Sequence, residues 1–254
     1  MLNRFFKLSQ VSPVLFCCNF VTITDQICKV LFMLNPDFYL LTEELIKCIS
    51  GKLPAAAAHE EMSPAHRKEL LRENPHKLNA RLSGVLLLLS PGINNEPLIT
   101  FIKRMEYDGV HSGQIAFPGG KYEPGDIDLA YTAIREAEEE IGIKPTDVEL
   151  IGPLSELFVP PSNFIIQPFL ARTSYISGFI PSPTEVAGIF SVPVTHFFNP
   201  GVKDNYEIKY RNGSYLQVPG YKFQEHLIWG ATAMILNELL ELILCTGLYP
   251  LSRA

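Results

Sequence analysis

Residues 117–143 read FPGGKYEPGDIDLAYTAIREAEEEIGI, a glycine-rich loop followed by a helix-forming segment, and this stretch decides the fold. Asp126 or Asp128 can cap the start of the helix, and Gly142 followed by Pro145 ends it. One apolar stripe at helical spacing is formed by Ala130, Ala133, Ile134, Ala137 and Ile141. We therefore expect a helix that buries this stripe and leaves its opposite side open.

Three glutamates lie on that opposite side. Glu136, Glu139 and Glu140 are related by helical spacing, which places their carboxylates close together at one end of the helix. Such like charges repel unless a cation lies among them, and Mg²⁺ and Mn²⁺ prefer oxygen ligands. The glycines at 119–120 let the backbone approach a metal or a phosphate closely. A solvated acidic face is the alternative, but the neighbouring Arg135 and the glycine loop favour a metal site.

The segment resembles the box of the Nudix hydrolase family, which reads G-x5-E-x7-R-E-U-x-E-E-x-G-U, where U is a bulky aliphatic residue. The matching positions are Gly120, Arg135, Glu136, Glu139, Glu140, Gly142 and Ile143. Asp126 stands where the box has its first glutamate, eight residues rather than seven separate it from Arg135, and Ala137 is small for a U position. The resemblance implies that the three glutamates bind Mg²⁺ or Mn²⁺ beside the Gly120 backbone and that Arg135 orients them.

The flanking segments are similar to the coenzyme A diphosphatase subgroup of that family. Arg104, Gly113 and FPGG at 117–120 match a motif just upstream of the box, and PPSNF, EVAGIF and IWGATA also look like that subgroup. Gly109 occupies a position where the subgroup has Arg, and Met105 replaces a small residue. The resemblance implies hydrolysis of the diphosphate linkage of coenzyme A or acyl-CoA, which gives 4′-phosphopantetheine derivatives and adenosine 3′,5′-bisphosphate.

Roles for individual side chains follow from that reaction. Arg135 belongs to the catalytic set, and the general base is either Glu139 on the helix or Glu185 in SPTEVAGIF. The candidate substrate contacts are Lys103, Arg104, His111, Gly113 and Phe117. Ordinary surface or core positions explain these five residues about equally well, so both interpretations stay open.

Two other functions also stay open. The first is a Nudix hydrolase for another nucleoside diphosphate derivative, such as ADP-ribose or a dinucleotide. The second is a non-catalytic Nudix fold that binds a nucleotide or a protein partner and acts as a regulator. Such a regulator would tolerate loss of the box carboxylates, whereas this chain keeps all three helix glutamates.

Composition limits the class of protein. The 254 residues are 47% hydrophobic and carry a net charge of −6, which suits one large domain and argues against a general nucleic-acid binder. Five cysteines without a C-x-x-C pair indicate neither a disulfide framework nor a zinc site, and they favour the reducing cytoplasm. We expect a small-molecule substrate, no nucleic-acid or membrane partner, and either a monomer or a homodimer.

The chain divides into an extension at 1–32 and a Nudix domain at 33–254. The extension is either a targeting segment, an additional structural element, or an upstream extension before a true start at Met33. Within the domain, 33–80 is predicted to be helical, with a helix that begins near Pro36 and Asp37 after a domain start at Met33, and 81–254 forms the core. The predicted strands are 82–90 and 98–105, as a hairpin or as two adjacent strands, then 148–157, 164–171 and 185–192. A second hairpin, 207–211 with 214–218, is predicted around Asn212-Gly213. More strands than long helices predict an α/β protein, and the resemblance implies an α/β/α sandwich with a mixed sheet.

The last predicted element is a helix that ends near Thr246. Its sequence is apolar, but Glu238 and Glu241 interrupt it. We therefore expect a buried amphipathic helix packed on the sheet rather than a membrane span.

Overall fold

The described part of the chain has helices near its beginning, in its middle and near its end. In the computed structural model, which describes residues 37–73, 79–105, 113–174, 178–209, 213 and 215–249, they are α1 (Phe38–Ile49), α2 (Ala55–Glu61), α3 (Arg67–Glu73), α4 (Leu129–Ile141) and α5 (Gly230–Cys245). Short 3-10 turns occur at Ile93–Asn95, Pro145–Asp147, Pro160–Ser162 and Val194–Phe198. The predicted extension at 1–32, the domain start at Met33, and His111, Gly109 and Asn212 lie outside the described residues.

The strands form two sheets. They are β1 (Arg81–Pro91), β2 (Pro97–Arg104), β3 (Ile115–Ala116), β4 (Gly119–Lys121), β5 (Glu149–Pro153), β6 (Leu157–Val159), β7 (Phe164–Arg172), β8 (Val186–Pro193), β9 (Lys203–Lys209), β10 (Tyr215–Phe223) and β11 (His226–Trp229). The larger sheet has the order β3-β2-β1-β7-β5, while β4 pairs with β1, β6 with β7 and β8 with β2. Strands β1 and β7 run parallel and the other pairs are antiparallel, so the sheet is mixed.

Strand β1 lies at the centre of this sheet because both of its faces are apolar. Successive side chains of a strand point to opposite faces. Leu86 and Leu88 pack with the apolar residues of α4, whereas Leu87 and Leu89 pack with residues of α1 and α5. A sheet covered by helices on both faces is an α/β/α sandwich, so the predicted fold class is confirmed.

Helix α4 approaches the sheet closely at Gly84 of β1. A Cβ atom at this position would lie 3.0 Å from the backbone nitrogen of Ala133 and still closer to the carbonyl oxygen of Leu129. A larger residue at 84 would therefore push the helix away from the sheet. Gly84 fixes the depth at which the glutamates of α4 meet β4.

The N-terminal helix and the first hairpin form as predicted. The Asp37 side chain caps α1 by accepting hydrogen bonds from the backbone N–H groups of Tyr39 and Leu40. Strands β1 and β2 pair as an antiparallel hairpin, with Leu89 opposite Ile99. Helix α3 occupies the charged segment that begins at Arg67.

Several boundaries differ from the sequence-based prediction. The single strand predicted at 148–157 is two short strands, β5 and β6, which both pair with β7. The second hairpin belongs to a separate sheet of order β11-β10-β9, and β9 begins at Lys203 rather than near residue 207. The C-terminal helix ends at Cys245 with Thr246 as its C-cap, so this predicted boundary is confirmed. Among the described helices, none combines the length and the apolarity that crossing a membrane requires.

Candidate active site

Helix α4 begins and ends at residues with clear capping roles. Asp128 is the N-cap, and its Oδ1 accepts a hydrogen bond of 2.7 Å from the backbone N–H of Tyr131. Gly142 ends the helix in the left-handed region with φ of 70°. The buried residues of the helix are Thr132, Ala133, Ala137, Glu140 and Ile141. The predicted stripe was therefore wrong in part, because Ala130 and Ile134 are only half-buried while Glu140 is buried rather than open to solvent.

Asp126 is the partner of Arg135 and not a cap. The Arg135 Nε donates to Asp126 Oδ1 at 2.9 Å, and its Nη2 donates to Oδ2 at 3.1 Å. Asp126 Oδ2 also accepts from the hydroxyl of Thr132 at 2.8 Å and from the backbone N–H of Glu123 at 3.0 Å. The Arg135 bonds, with these additional donors, hold the pKa of Asp126 well below its usual range. Asp126 is thus a fixed anion that anchors the guanidinium.

Arg135 in turn contacts two of the three predicted metal ligands. Its Nη2 lies 3.0 Å from Glu136 Oε1, and its Nη1 lies 3.3 Å from Glu139 Oε1. Its Nη2 also donates to the carbonyl oxygen of Lys121 on β4 at 3.3 Å. The anchored guanidinium therefore holds these side chains of α4 against the glycine strand.

Glu140 points into the protein and meets β4 at Gly119. The backbone N–H of Gly119 donates to Glu140 Oε2 at 2.8 Å, and Glu140 is 2% exposed. Gly119 has φ of 148°, and a Cβ atom there would lie 2.6 Å from the Cα atom of Val85, so this position requires glycine. Burial raises the pKa of Glu140 to about 7, even though the Gly119 hydrogen bond and the positive charge of Arg104 oppose the shift.

Glu136 lies directly over Gly120. A Cβ atom at Gly120 would lie 2.6 Å from Glu136 Oε1 and closer still to the rest of the carboxylate. Burial also raises the pKa of Glu136, and the negative charges of Glu139 and Glu185 add to the shift, although Arg135 opposes it. The two consecutive glycines of β4 therefore each make room for one carboxylate of α4.

The carboxylates suit a hard divalent cation by their chemistry, although they are not gathered around one point. Among the residues that the structure describes, no group of three or more His, Cys, Asp or Glu side chains is arranged to hold a metal ion. Glu139 is turned toward Arg135, and its side chain is 55% exposed, so it can rotate. The raised pKa values of Glu136 and Glu140 mean that their negative charge is unfavourable without a nearby cation. Oxygen donors beside an open glycine backbone are the ligands that Mg²⁺ prefers.

The other predicted site residues lie at the ends of β2 and β8. Arg104 pairs with Val186, and the carbonyl oxygen of Glu185 accepts a hydrogen bond of 2.9 Å from the backbone N–H of Met105. The positive charge of Arg104 lowers the pKa of Glu140 and the negative charge of Glu185 raises it. Lys103 is half-buried on β2.

A cavity of about 410 Å³ opens beside the glycine strand. Its apolar walls include Val85, Ile115, Leu157, Val159, Ile166 and Met234. The PPSNF segment contributes residues 160–162, and the IWGATA segment contributes residues 229–232. Arg104 and the glycines at 119–120 line the same cavity, so segments far apart in sequence meet at one site.

Phe117 and Gly113 have structural positions of their own. Phe117 is 3% exposed and stacks on Phe101 with ring centroids 5.0 Å apart, although it also lines the cavity. Gly113 has φ of 67°, and its N–H donates to the carbonyl oxygen of Met105 at 3.3 Å. Both residues therefore support the loop that leads to β4, whether or not they contact a substrate.

The sequence patterns missed one wall of the cavity. His66, Arg67 and Leu70, from the turn before α3 and from α3 itself, line it beside Arg104. Sequence spacing carries no signal for this contact, because it depends on how α3 packs against the turn at Pro160–Ser162 and the neighbouring β6.

The chain is similar to several known proteins. A family model described as the NUDIX domain matches residues 84–209. The uncharacterized Nudix hydrolase NudL of Photorhabdus laumondii is 31% identical over 167 residues, which cover 66% of this chain and 88% of that protein. The uncharacterized Nudix hydrolase NudL of Yersinia enterocolitica is 31% identical over 175 residues, which cover 69% of this chain and 89% of that protein. A MutT/nudix family protein from Enterococcus faecalis, known from its crystal structure, has a TM-score of 0.45 at 13% identity, over 74% of this chain and 72% of that one.

Proposed function

This chain belongs to the Nudix hydrolase family, whose members act on phosphorus anhydrides, and we propose that it splits the diphosphate linkage of coenzyme A or acyl-CoA with the help of Mg²⁺ or Mn²⁺. The products would be adenosine 3′,5′-bisphosphate and 4′-phosphopantetheine or its acylated form. The observation that carries this proposal is the cavity of about 410 Å³, which has apolar walls and is lined by Gly119 and Gly120, the two glycines that Glu140 and Glu136 of α4 approach.

The shape of the site favours a substrate with a long uncharged arm. Coenzyme A carries such an arm on one side of its diphosphate, whereas ADP-ribose carries a polar sugar there. The apolar side chains of the cavity can cover an aliphatic arm and remove it from water. The cleaved diphosphate then lies where the cavity meets Arg104 and the backbone at 119–120.

The carboxylates of α4 would hold the cation. Glu136 and Glu140 already lie over the glycines of β4, and Glu139 can join them by turning away from Arg135. A bound Mg²⁺ or Mn²⁺ supplies charge neutralisation at the phosphates and a more acidic water. Arg135, anchored on Asp126, keeps the carboxylate of Glu136 in place through their contact of 3.0 Å.

The remaining chemical roles belong to side chains around the glycine strand. Arg104 is half-buried near Glu140 and can orient a phosphate oxygen with its planar donors. A general base must take the proton from the attacking water, and Glu139 and Glu185 are both exposed carboxylates close to the site. Separate Gln substitutions at 139 and 185 would assign this role, because the base should be the one whose loss removes the acidic limb of the pH profile of kcat.

A reducing location fits this reaction. Cys48 and Cys245 are both free thiols in the described part of the chain. Together with the cysteine pattern of the whole sequence, they support our proposal that the enzyme works in the cytoplasm.

A substrate panel tests the proposed reaction. Coenzyme A, an acyl-CoA, dephospho-CoA, ADP-ribose and a diadenosine polyphosphate are incubated with Mg²⁺, and the products are separated by chromatography. We expect the highest kcat/KM for coenzyme A or acyl-CoA, with adenosine 3′,5′-bisphosphate as a product. A higher kcat/KM for ADP-ribose or the dinucleotide would overturn the substrate and leave the diphosphate chemistry intact.

A further inference from the structure

Arg67, the first residue of α3, is a half-buried cation that has no acidic partner among the described residues. Its Nη2 donates a hydrogen bond of 2.8 Å to the carbonyl oxygen of Phe158 on β6. Among the residues that the structure describes, no carboxylate forms an ion pair with it. Burial lowers the pKa of Arg67, and no acidic neighbour opposes this shift. A guanidinium in such a place is stabilised when an anion reaches it.

The neighbouring His66 carries a second unsatisfied polar group. Its Nδ1 is buried and has no hydrogen-bond partner in the described structure. Buried polar atoms in native proteins nearly always have a partner, so His66 Nδ1 is available to a polar atom of a ligand or a water molecule in the cavity. His66 and Arg67 line the cavity that Arg104 and the glycine strand also line.

The cavity therefore has cations in three different elements. Arg104 comes from the end of β2 and Lys121 from β4, next to the glycines, whereas Arg67 comes from α3, which precedes the residues 84–209 that match the family model. One anion at the cleaved diphosphate would satisfy Arg104 and leave Arg67 unpaired. A ligand with a further negative group elsewhere would satisfy both.

We propose that Arg67, assisted by His66, binds a second phosphate of the substrate, a phosphate monoester separate from the diphosphate that is cleaved. A guanidinium group can donate two parallel hydrogen bonds to a phosphate. Arg67 already uses one of its N–H groups to hold its side chain on β6, and its other N–H groups can reach the phosphate. This inference rests on the proposed function, because in coenzyme A the group would be the 3′-phosphate, which reaches Arg67 when the molecule is bent at its diphosphate so that both halves face the cavity. It makes α3 a specificity element rather than a surface helix.

Matched substrates and matched variants test this assignment. We expect the wild type to prefer coenzyme A to dephospho-CoA by about tenfold to a hundredfold in kcat/KM, which is the range for a hydrogen bond to a charged group. Arg67→Met should remove most of this preference by raising KM for coenzyme A alone, and Arg67→Lys should restore part of it. Arg72→Met is the control, because Arg72 is an exposed cation of the same helix that does not line the cavity.

A purely structural role for Arg67 gives a different result. If the arginine only ties α3 to β6, Arg67→Met lowers kcat/KM for both substrates by the same factor and lowers the melting temperature, and the preference for coenzyme A survives. That result would overturn the proposal, as would equal kcat/KM values for the two substrates in the wild type. If the Met variant does not fold, Arg67→Lys decides the matter. A reduced preference for coenzyme A over dephospho-CoA would support the proposal, and an unchanged preference would overturn it.

Direct binding separates this inference from the proposed function. Calorimetry without metal compares adenosine 3′,5′-bisphosphate, AMP and inorganic phosphate on the wild type and on Arg67→Met. We expect the bisphosphate to bind the wild type about tenfold to a hundredfold more tightly than AMP, and the variant to bind both equally. The proposal would be contradicted if the wild type bound AMP as tightly as adenosine 3′,5′-bisphosphate. It would also be contradicted if inorganic phosphate bound as tightly as the bisphosphate. If coenzyme A is not hydrolysed, the proposed function is wrong, but this binding measurement still decides whether Arg67 binds a phosphate monoester.

Discussion

Two buried glutamates on opposite faces of the sheet behave in opposite ways. Glu140 on α4 is 2% exposed and Glu238 on α5 is 0% exposed, so both carboxylates have lost their water. Burial raises the pKa of Glu140 to about 7. Burial would also raise the pKa of Glu238, but hydrogen bonds from His59 and Ser155 and the charge of His59 outweigh it, so this pKa lies below the usual range.

The difference lies in the number of partners. Glu238 accepts from His59 Nε2 at 2.9 Å and from the backbone N–H groups of Ser155 at 3.2 Å and Ala55 at 3.3 Å, so it ties α2 and the loop before β6 to α5. In the described part of the chain, the side-chain carboxylate of Glu140 accepts a hydrogen bond from the backbone N–H of Gly119. A buried carboxylate whose oxygens accept several hydrogen bonds stabilises the fold, whereas one that accepts few hydrogen bonds remains able to bind a cation.

Loss of charge at Glu140 should have the largest effect on catalysis. We expect Glu140→Gln to lower kcat at least about a hundredfold, because it removes charge where the phosphates must be neutralised. Its metal-free stability should equal or exceed that of the wild type, since an unfavourable buried charge is gone. Steady-state kinetics and thermal unfolding measure both quantities.

Glu138→Gln is the control for that experiment. Glu138 lies on the same helix and is exposed to solvent. Its substitution should change kcat less than about twofold, since surface changes away from a site are usually small in effect. Near wild-type turnover in Glu140→Gln would contradict a catalytic role for the α4 carboxylates.

The same substitution on α5 should act on stability instead. Glu238→Gln leaves His59 without its charged partner, so we expect the free energy of unfolding to fall by roughly 2 to 3 kcal/mol. Activity per folded molecule should stay within about twofold of the wild type, because Glu238 is not among the residues that line the cavity. Urea unfolding with an activity assay below the transition tests this pairing of effects, and a stable but inactive Glu238→Gln would break the comparison.

Gly120 of β4 leaves the space that the Glu136 carboxylate occupies. A Cβ atom at Gly120 would displace this carboxylate, which is the flexible end of its side chain, so Gly120→Ala should fold normally. We expect kcat to fall about tenfold to a hundredfold, because small displacements of catalytic groups have effects of this size. Gly188→Ala on β8 is the control, since a Cβ atom there meets nothing within 4 Å. Equal activity of the two variants would show that the position of Glu136 does not matter.

Acid unfolding gives the smallest expected effect. A carboxyl whose pKa is lowered by folding stabilises the protein above its unfolded pKa, about 4.3, and this stabilisation is lost as the pH falls through the lower folded value. The stability difference between the wild type and Glu238→Gln should therefore be full at pH 7 and shrink in acid. Urea unfolding at several pH values tests this, and a difference that stays constant in acid would contradict it.

Local patterns predicted the parts of the fold that depend on neighbours in sequence. Helix α4 ends at Gly142 as expected, and the β1 and β2 hairpin forms, because both depend on residues a few positions apart. The same patterns placed three glutamates on one side of α4, yet they did not show that Glu140 turns inward to Gly119. That contact depends on how closely the helix approaches the sheet at Gly84, which spacing alone does not encode.

Long-range contacts explain the other gaps. The sequence left the role of Asp126 open. The structure shows that its carboxylate accepts two hydrogen bonds from Arg135, nine residues further along the chain. Glu238 was interpreted only as a residue that interrupts an apolar helix, whereas its partners at 55, 59 and 155 lie far away in sequence. Pairings of this kind are set by the packed core rather than by local propensity.

Binding of Mn²⁺ tests the central contrast between the two glutamates most directly. Paramagnetic resonance or calorimetry can measure Mn²⁺ affinity for the wild type, Glu140→Gln and Glu238→Gln without any substrate. We predict that the wild type and Glu238→Gln bind Mn²⁺ with the same affinity and that Glu140→Gln loses at least about tenfold. Unchanged Mn²⁺ affinity in Glu140→Gln, or an equal loss in both variants, would contradict the assignment of the α4 carboxylates to the metal.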